Sequence, residues 1–248
     1  MGPEPSPREN PGVTGYREWA PEAALRAFVS CVWTHGAGAA GGNQLVVPDG
    51  CADLIWRDGR FEIAGPDTGP WTSALEPGRN LFGIRVRPGA APLLLGVPAA
   101  EARNLHLDGT ELWGDRLRAL AERIGAEPDR AGALLEGFAR QRLTEREPDR
   151  AVGIAVTALD RPRPPSVAGL AARLGLSERQ LRRRIVDAVG YGPSTLVGVL
   201  RFQRAIRLGR RAPLARAAAE AGYADQAHLG REFRRLSGVT PRRYFGQS

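Results

Sequence analysis

Two short segments near the C-terminus combine arginine with glutamine, the side chains best suited to reading the edges of nucleic-acid bases. The first segment carries Arg179, Gln180, Arg182, Arg183 and Arg184, and the second carries Gln226, His228, Arg231, Arg234 and Arg235. Arginine pairs bidentately with guanine and glutamine with adenine, while further arginines bind phosphates. We expect direct base contacts from Arg179, Arg182, Arg183, Gln226 and Arg231, and phosphate contacts from Arg184, Arg234, Arg235 and Arg242.

Residues that carry enzyme chemistry are largely missing from the sequence. All 35 basic residues are arginines, which excludes a P-loop lysine, a Schiff-base lysine and a Ser-Lys dyad. No His-Glu-x-x-His, Gly-x-Ser-x-Gly or strand-linked Gly-x-Gly-x-x-Gly motif occurs. His35, His106, Cys51 and Asp53 lack the ligand spacing of zinc motifs. The sequence therefore predicts a protein that is not an enzyme and that needs no metal or cofactor.

The two arginine-rich segments belong to two copies of one pattern, offset by 48 residues. Matching pairs include Leu181 with Leu229, Gly190 with Gly238 and Pro193 with Pro241. Each copy predicts a short helix, a glycine turn and a second helix with a buried apolar stripe. Ser177, in a capping box with Gln180, and Asp225 are the predicted N-caps of the second helices. This order is typical of the helix-turn-helix motif, whose second helix enters the major groove of DNA.

Positive charge is concentrated in the same part of the chain. Residues 161–248 carry 18 arginines and 5 acidic residues, a net charge of +13, whereas residues 1–160 carry −5. A domain of this charge attracts polyanions. Residues 161–165 contain three prolines and predict a stiff, extended linker. Residues 193–211 predict a long helix that holds the two recognition helices (178–189 and 226–236) about one turn of DNA, roughly 34 Å, apart.

Residues 222–244, GYADQAHLGREFRRLSGVTPRRY, resemble the signature of the AraC/XylS family of bacterial transcription regulators. The first copy and the segment 200–205 are similar to that family's first helix-turn-helix and linker helix, so that the resemblance covers about residues 164–246. It implies a unit that docks two helix-turn-helix motifs in adjacent major grooves. Two positions depart from the pattern: Gly230 lies within the second recognition helix, and Ile185 stands where the family usually has Phe. Residues 47–56, 64–66 and 83–89 look like an N-terminal domain seen on some actinobacterial members.

The N-terminal part reads as strands followed by helices. Strands are predicted over 28–34, 44–47, 52–57, 60–64 and 81–86, with Asp58-Gly59 as a hairpin turn. After residue 98 the pattern is helical, with one stripe through Trp113, Leu117, Leu120 and Ile124 and others through residues 134–138 and 152–159. The predicted fold class is α+β. The predicted domains are 1–160 (a β-rich sensor or regulatory region, about 13–97, and a helical interface region, about 98–160), the linker 161–165, and an all-α double helix-turn-helix domain, 166–248.

Five side chains of the β-rich region form a candidate effector pocket: Trp33, Cys51, Asp53, Trp56 and Trp71. The alternative is ordinary core packing, since aromatic residues on strands usually serve a core. Cys31 and Cys51 are interpreted as small buried hydrophobic residues. A different class of function stays open, a DNA-directed alkyl-acceptor or thiol-based redox protein that uses Cys51. Such a protein needs an accessible thiol with a lowered pKa.

These observations predict a cytoplasmic, sequence-specific transcription regulator that binds double-stranded DNA. Its N-terminal domain is expected to sense a ligand or to mediate dimerisation. A small-molecule effector, RNA polymerase and a second copy of the chain are the candidate partners besides DNA. No membrane is expected as a partner, because no apolar run is long enough to span a bilayer and the N-terminus lacks the core of a signal peptide.

Overall fold

A computed structural model describes residues 8–9, 15–36, 38 and 41–246 of the chain. The strands in these residues are β1 (Arg8–Glu9), β2 (Tyr16–Trp19), β3 (Val29–Gly36), β4 (Gly42–Val46), β5 (Ala52–Arg57), β6 (Arg60–Ala64), β7 (Trp71–Leu75), β8 (Asn80–Val86) and β9 (His106–Asp108). The predicted start of the β-rich region, near residue 13, lies outside the described residues. The α+β fold class is confirmed, because helices follow these strands and fill the C-terminal part of the chain.

Most strands form one antiparallel sheet of seven strands in the order β1-β2-β3-β8-β5-β6-β9. Strands β4 and β7 pair separately as a two-stranded sheet. The β5–β6 hairpin is confirmed at its predicted bounds, and both turn residues have positive φ, 48° at Asp58 and 81° at Gly59, as a type I′ turn requires. Strands β1, β2, β7 and β9 were not predicted; each is short and carries polar side chains.

The side chains of the seven-stranded sheet alternate between its two faces. Val32, Leu54 and Ile84 belong to the face that packs on helices and forms the main core of the N-terminal part. Trp33 and Leu81 belong to a smaller cluster on the opposite face. Residues of the β4–β7 pair line a cavity together with that opposite face, so the pair covers part of it.

Four helices that come after β8 in the chain cover one face of the sheet. They are α1 (Ala91–Leu95), α2 (Gly109–Trp113), α3 (Asp115–Ala126) and α4 (Ala131–Glu145). The predicted single stripe from Trp113 to Ile124 is wrong at its first residue. The helix is interrupted at Gly114, whose φ of 53° and ψ of −131° suit glycine. Trp113 is therefore the last residue of α2. Leu117, Leu120 and Ile124 form the buried stripe of α3.

The remaining helices build two small cores. They are α5 (Arg150–Leu159), α6 (Val167–Arg173), α7 (Glu178–Val189), α8 (Pro193–Gly209), α9 (Leu214–Ala221), α10 (Gln226–Ser237) and α11 (Pro241–Tyr244). Residues 161–165 contain neither helix nor strand. Helix α5 precedes this linker in the chain, yet its Val152, Ala155 and Leu159 share a core with α6, α7 and the first half of α8. The predicted assignment of α5 to the N-terminal part therefore does not match its packing.

Helix α8 connects the two cores. Its first half contributes Leu196 and Val199 to the core of the first helix pair, and its second half contributes Phe202 and Ile206 to the core of the second. Because one continuous helix belongs to both cores, the two helix pairs are held by a rigid connection. In the described part of the chain, no helix combines the length and the apolar character needed to cross a membrane.

Candidate nucleic-acid interface and effector cavity

Local sequence explains how the two candidate recognition helices begin. At the start of α7, the Ser177 hydroxyl accepts a hydrogen bond from the Gln180 backbone N–H, and the Gln180 side chain accepts one from the Ser177 N–H. At the start of α10, the Asp225 carboxylate accepts a bond from the His228 N–H at 2.6 Å. The turn before α10 requires glycine, because Gly222 has a φ of 93° and a Cβ there would lie 2.5 Å from the Pro162 carbonyl oxygen.

The apolar stripe of each helix is buried and leaves the polar residues outside. Leu181, Ile185 and Val189 are buried in α7, and Leu229 and Phe233 in α10. The exposed residues are Arg179, Gln180, Arg182, Arg183 and Arg184 on α7, Gln226, Arg231, Arg234 and Arg235 on α10, and Arg242 on α11. His228 differs, because its ring is half-buried and packs edge-on against Tyr223 at 5.2 Å. The two helices therefore expose the donor-rich surfaces that groove binding needs.

Ion pairs divide these arginines into two groups. Arg182 is held by Glu178 one turn earlier, with its Nη2 2.6 Å from a carboxylate oxygen, and Arg235 is held by Glu232 at 2.8 Å. Arg184 reaches Asp149, the N-cap of α5, at 3.4 Å. Within the residues that the structure describes, Arg179, Arg183, Arg231, Arg234 and Arg242 form no ion pair. Exposed pairs contribute little to stability, so the paired guanidiniums can exchange a carboxylate for a phosphate.

A cavity of about 70 Å³ lies on the sheet face opposite the main core, beneath β4 and β7. Four of the five predicted pocket residues, Trp33, Cys51, Asp53 and Trp71, line it. Trp56 does not, which corrects the prediction. Its ring packs against Phe82 on the helix-covered face, and its Nε1 donates to the Ala121 carbonyl of α3. Trp56 is three residues from Asp53, and an odd separation along a strand places two side chains on opposite faces.

Charged residues that sequence reasoning missed complete the cavity wall. The Arg85 Nε donates to both oxygens of Asp53, at 3.1 and 3.0 Å, and its Nη1 lies 3.4 Å from Asp49. The Trp33 Nε1 donates to Asp53 at 2.7 Å, and the Trp71 Nε1 donates to Asp67 at 2.7 Å. Asp53 and Arg85 meet because β5 and β8 are neighbours in which these two residues stand directly opposite each other. The sequence carries no local signal for that pairing.

The two cysteines are not activated by their surroundings. Burial raises the pKa of the Cys31 thiol to about 12, and burial with the nearby Asp49 raises the pKa of the Cys51 thiol. Both shifts favour the thiol over the reactive thiolate. Among the described residues, no group of three or more His, Cys, Asp and Glu side chains is arranged to hold a metal ion.

One segment of the cavity wall, residues 47–51, also contacts the C-terminal helices. On its inner side, Val47, Pro48, Asp49 and Cys51 line the cavity. On its outer side, Val47 packs on the core around Phe202, and the Gln203 Nε2 of α8 donates to the Pro48 carbonyl at 2.7 Å. Gly50 lies near Tyr191, a residue that follows α7 in the chain: a Cβ at Gly50 would be 3.3 Å from the Tyr191 hydroxyl. The cavity and the helix-turn-helix part thus share this wall.

Two family models match the chain. Residues 170–247 match the model described as "Helix-turn-helix domain", and residues 17–108 match "Domain of unknown function (DUF6597)". The search of curated proteins found no significant match.

Solved structures of low similarity include three from bacteria. ToxT from Vibrio cholerae O395 is 12% identical, over 87% of this chain and 96% of that one, with a TM-score of 0.47. A transcriptional regulator from Chromobacterium violaceum, described as an AraC-type DNA-binding domain-containing protein, is 26% identical over 45% of this chain and 95% of that one, with a TM-score of 0.35. The C-terminal domain of AraT, a response regulator from Geobacillus stearothermophilus, is 23% identical over 40% and 83%, also with a TM-score of 0.35.

The low identities and TM-scores of these structures do not establish a shared function. The helix-turn-helix model, by contrast, covers both candidate recognition helices, α7 and α10. Residues 170–247 of the chain therefore match a helix-turn-helix domain.

Proposed function

We propose that the chain is a sequence-specific transcription regulator that places α7 and α10 in adjacent major grooves of double-stranded DNA. The observation that carries this proposal is the pair of capped helices with exposed arginines, joined by the single rigid helix α8. The second helix of a helix-turn-helix motif fits the major groove of DNA. Two such motifs joined by one rigid helix can occupy two successive major grooves.

The ion pairs suggest different roles for individual arginines. Arg179 and Arg183 on α7, and Arg231 on α10, are exposed and unpaired within the described residues, so their guanidiniums are available to bind guanine. The Nε and Nη2 of Arg182 bond to Glu178, whereas its Nη1 makes no hydrogen bond within the described residues and is the group we expect to reach a base edge. Gln226 is the expected adenine reader. Arg184, Arg234, Arg235 and Arg242 are the expected phosphate contacts.

We infer that the N-terminal part senses a small molecule in the cavity beneath β4 and β7. Support comes from the wall segment 47–51, because a ligand that displaces Pro48 would also act on the hydrogen bond between its carbonyl and Gln203 of α8. Contacts with RNA polymerase and self-association stay predictions. No structural observation favours the thiol-based alternative, since burial raises the pKa of the Cys51 thiol.

The test starts with selection of bound fragments from a random double-stranded DNA library by the full chain. On the selected site, Arg183→Ala and Arg231→Ala should each weaken binding by about 1–3 kcal/mol and relax the preference at one base position. Arg123→Ala is the matched control, because Arg123 is an exposed arginine on α3 of the N-terminal part that forms no ion pair with another described residue.

Two outcomes would contradict the proposal. Failure to enrich any sequence would show that binding is not sequence-specific. An equal loss on the selected site and on a scrambled duplex would make Arg183 or Arg231 a phosphate contact rather than a base reader.

A further inference from the structure

Carboxylates outnumber guanidiniums around the cavity. Asp49, Asp53 and Asp67 line it, opposed by Arg57 and Arg85. Arg85 divides its charge between Asp53 and Asp49, while the Arg57 Nη1 donates to the Ala74 carbonyl. Asp67 accepts a hydrogen bond from Trp71 and forms no ion pair within the described residues. Of the three carboxyl groups, Asp67 is therefore the one that no guanidinium pairs with among the described residues.

The surroundings of Asp67 oppose its ionisation. Burial raises the pKa of its carboxyl. The hydrogen bond from Trp71 and the nearby His106 oppose that shift, whereas the charges of Asp49 and Asp53 add to it. Three carboxyl groups that repel one another would each be stabilised by a cation brought between them.

Aromatic side chains line the cavity, and among the described residues a polar atom without a hydrogen-bond partner lies behind its wall segment 47–51. Trp33, Trp71 and Tyr16 line the cavity, and aromatic faces attract organic cations. Tyr191 is 2% exposed, and among the described residues its hydroxyl has no hydrogen-bond partner. That hydroxyl lies behind Gly50, next to Asp49 in the wall segment 47–51. A buried polar atom without a partner is unfavourable and points to a missing or rearranged contact.

From these observations we propose that the cavity binds a small organic cation, with its ammonium group between Asp49 and Asp67 and its carbon atoms against Trp33 and Trp71. The cavity volume of about 70 Å³ is several times the roughly 10–15 Å³ that one water needs, so it suits a molecule of a few non-hydrogen atoms. This assignment rests on the proposed sensing function and names the chemical class of its effector.

The experiment compares three probes of one shape, isobutylamine, isobutanol and isobutyrate, on the full chain at neutral pH. Binding is followed by tryptophan fluorescence, since Trp33 and Trp71 line the cavity, and by thermal denaturation. We expect isobutylamine to bind with a Kd of about 1 mM or lower and isobutanol to bind at least about tenfold more weakly. No binding of isobutyrate is expected.

The key variant is Asp67→Asn. It keeps the shape of the side chain, and its amide oxygen can still accept the hydrogen bond from the Trp71 Nε1. It should weaken isobutylamine binding at least about tenfold and leave isobutanol binding unchanged. Asp129→Asn is the matched control, because Asp129 is exposed and is not part of the cavity lining; this variant should bind isobutylamine like the unmodified chain.

Four results would overturn the assignment: tighter binding of isobutyrate than of isobutylamine, equal binding of amine and alcohol, unchanged amine binding by Asp67→Asn, or no amine binding up to about 10 mM. Tighter isobutyrate binding would make Arg85 the recognition group for an anion. DNA affinity is measured on the same proteins. Loss of amine binding with intact DNA binding overturns only this inference, whereas absence of specific DNA binding overturns the regulator proposal.

Discussion

Side-chain direction along a strand decides which predicted pocket residues meet. Trp33 and Asp53 lie on the same face of the sheet and are joined by a hydrogen bond of 2.7 Å. Trp56, on the same strand as Asp53, points to the other face and packs with the helices. The two-residue period of a strand contains this information, so the separation of Trp56 from Asp53 could have excluded it from the pocket.

At the residue scale, Gly230→Ala is expected to stabilise the chain. Gly230 lies within α10, and a Cβ there would meet nothing within 4 Å. Since alanine favours a helix interior over glycine, the free energy of unfolding should rise by about 0.5–1 kcal/mol, as measured by denaturant titration.

The contrasting control for that substitution is Gly222→Ala. Its Cβ would collide with the Pro162 carbonyl, and its φ of 93° disfavours any side chain. The stability of this variant should fall. If both variants changed stability equally, the open space around Gly230 would not explain the effect.

Helix α8 contacts both helix pairs and the wall of the cavity in the N-terminal part. It contributes to the cores of both helix pairs, and its Gln203 donates to the Pro48 carbonyl in the cavity wall. A rearrangement of segment 47–51 would therefore reach α8 directly. Coupling of this kind needs no long chain of contacts, because one wall is common to the cavity and the helical part.

At the element scale, Gln203→Ala should release this contact. Loss of the hydrogen bond to the Pro48 carbonyl is expected to lower the free energy of unfolding by about 0.5–1.5 kcal/mol. Amide hydrogen exchange should also become faster in residues 49–52, which adjoin that carbonyl. The control is Gln141→Ala, an exposed glutamine on α4 whose side chain contacts Glu145 of the same helix. Unchanged exchange in residues 49–52 would show that Gln203 does not hold the wall in place.

Across the whole molecule, charge is divided unequally between the two parts of the chain. Residues 161–248 have a net charge of +13 and present the exposed arginines, while residues 1–160 have a net charge of −5 and enclose a cavity rich in carboxylates. The first part suits a polyanion and the second repels one. This division favours one orientation on DNA, with the N-terminal part away from the phosphates.

The corresponding prediction concerns salt. The logarithm of the DNA association constant should fall linearly with the logarithm of salt concentration, with a slope of about −0.9 for each phosphate contacted. Arg234→Ala should make this slope shallower by about 1 and weaken all sequences alike, whereas Arg123→Ala should leave it unchanged. Binding titrations at several salt concentrations measure the slope. An unaltered slope in Arg234→Ala would remove Arg234 from the phosphate contacts.

Agreement between sequence and structure is greatest where the interactions are local. Helix α7 begins and ends at its predicted residues, because the Ser177–Gln180 capping box and the glycine at its C-terminus act within one turn. The hairpin at Asp58-Gly59 is equally local. The position of α5 could not be predicted in this way. Its amphipathic pattern shows that one face is buried but not which core receives it.

The amino-acid sequence by itself thus determined the two helix-turn-helix units, their caps and the concentration of arginine on their outer faces. Only the tertiary structure decided that Arg85 lies beside Asp53, 32 residues away, and that Gln203 contacts Pro48 across 155 residues. The physical reason is the distance along the sequence between the residues that interact. Caps, turns and helical stripes depend on neighbours within a few positions, whereas the cavity and its shared wall depend on strand order and on how the two parts of the chain pack together.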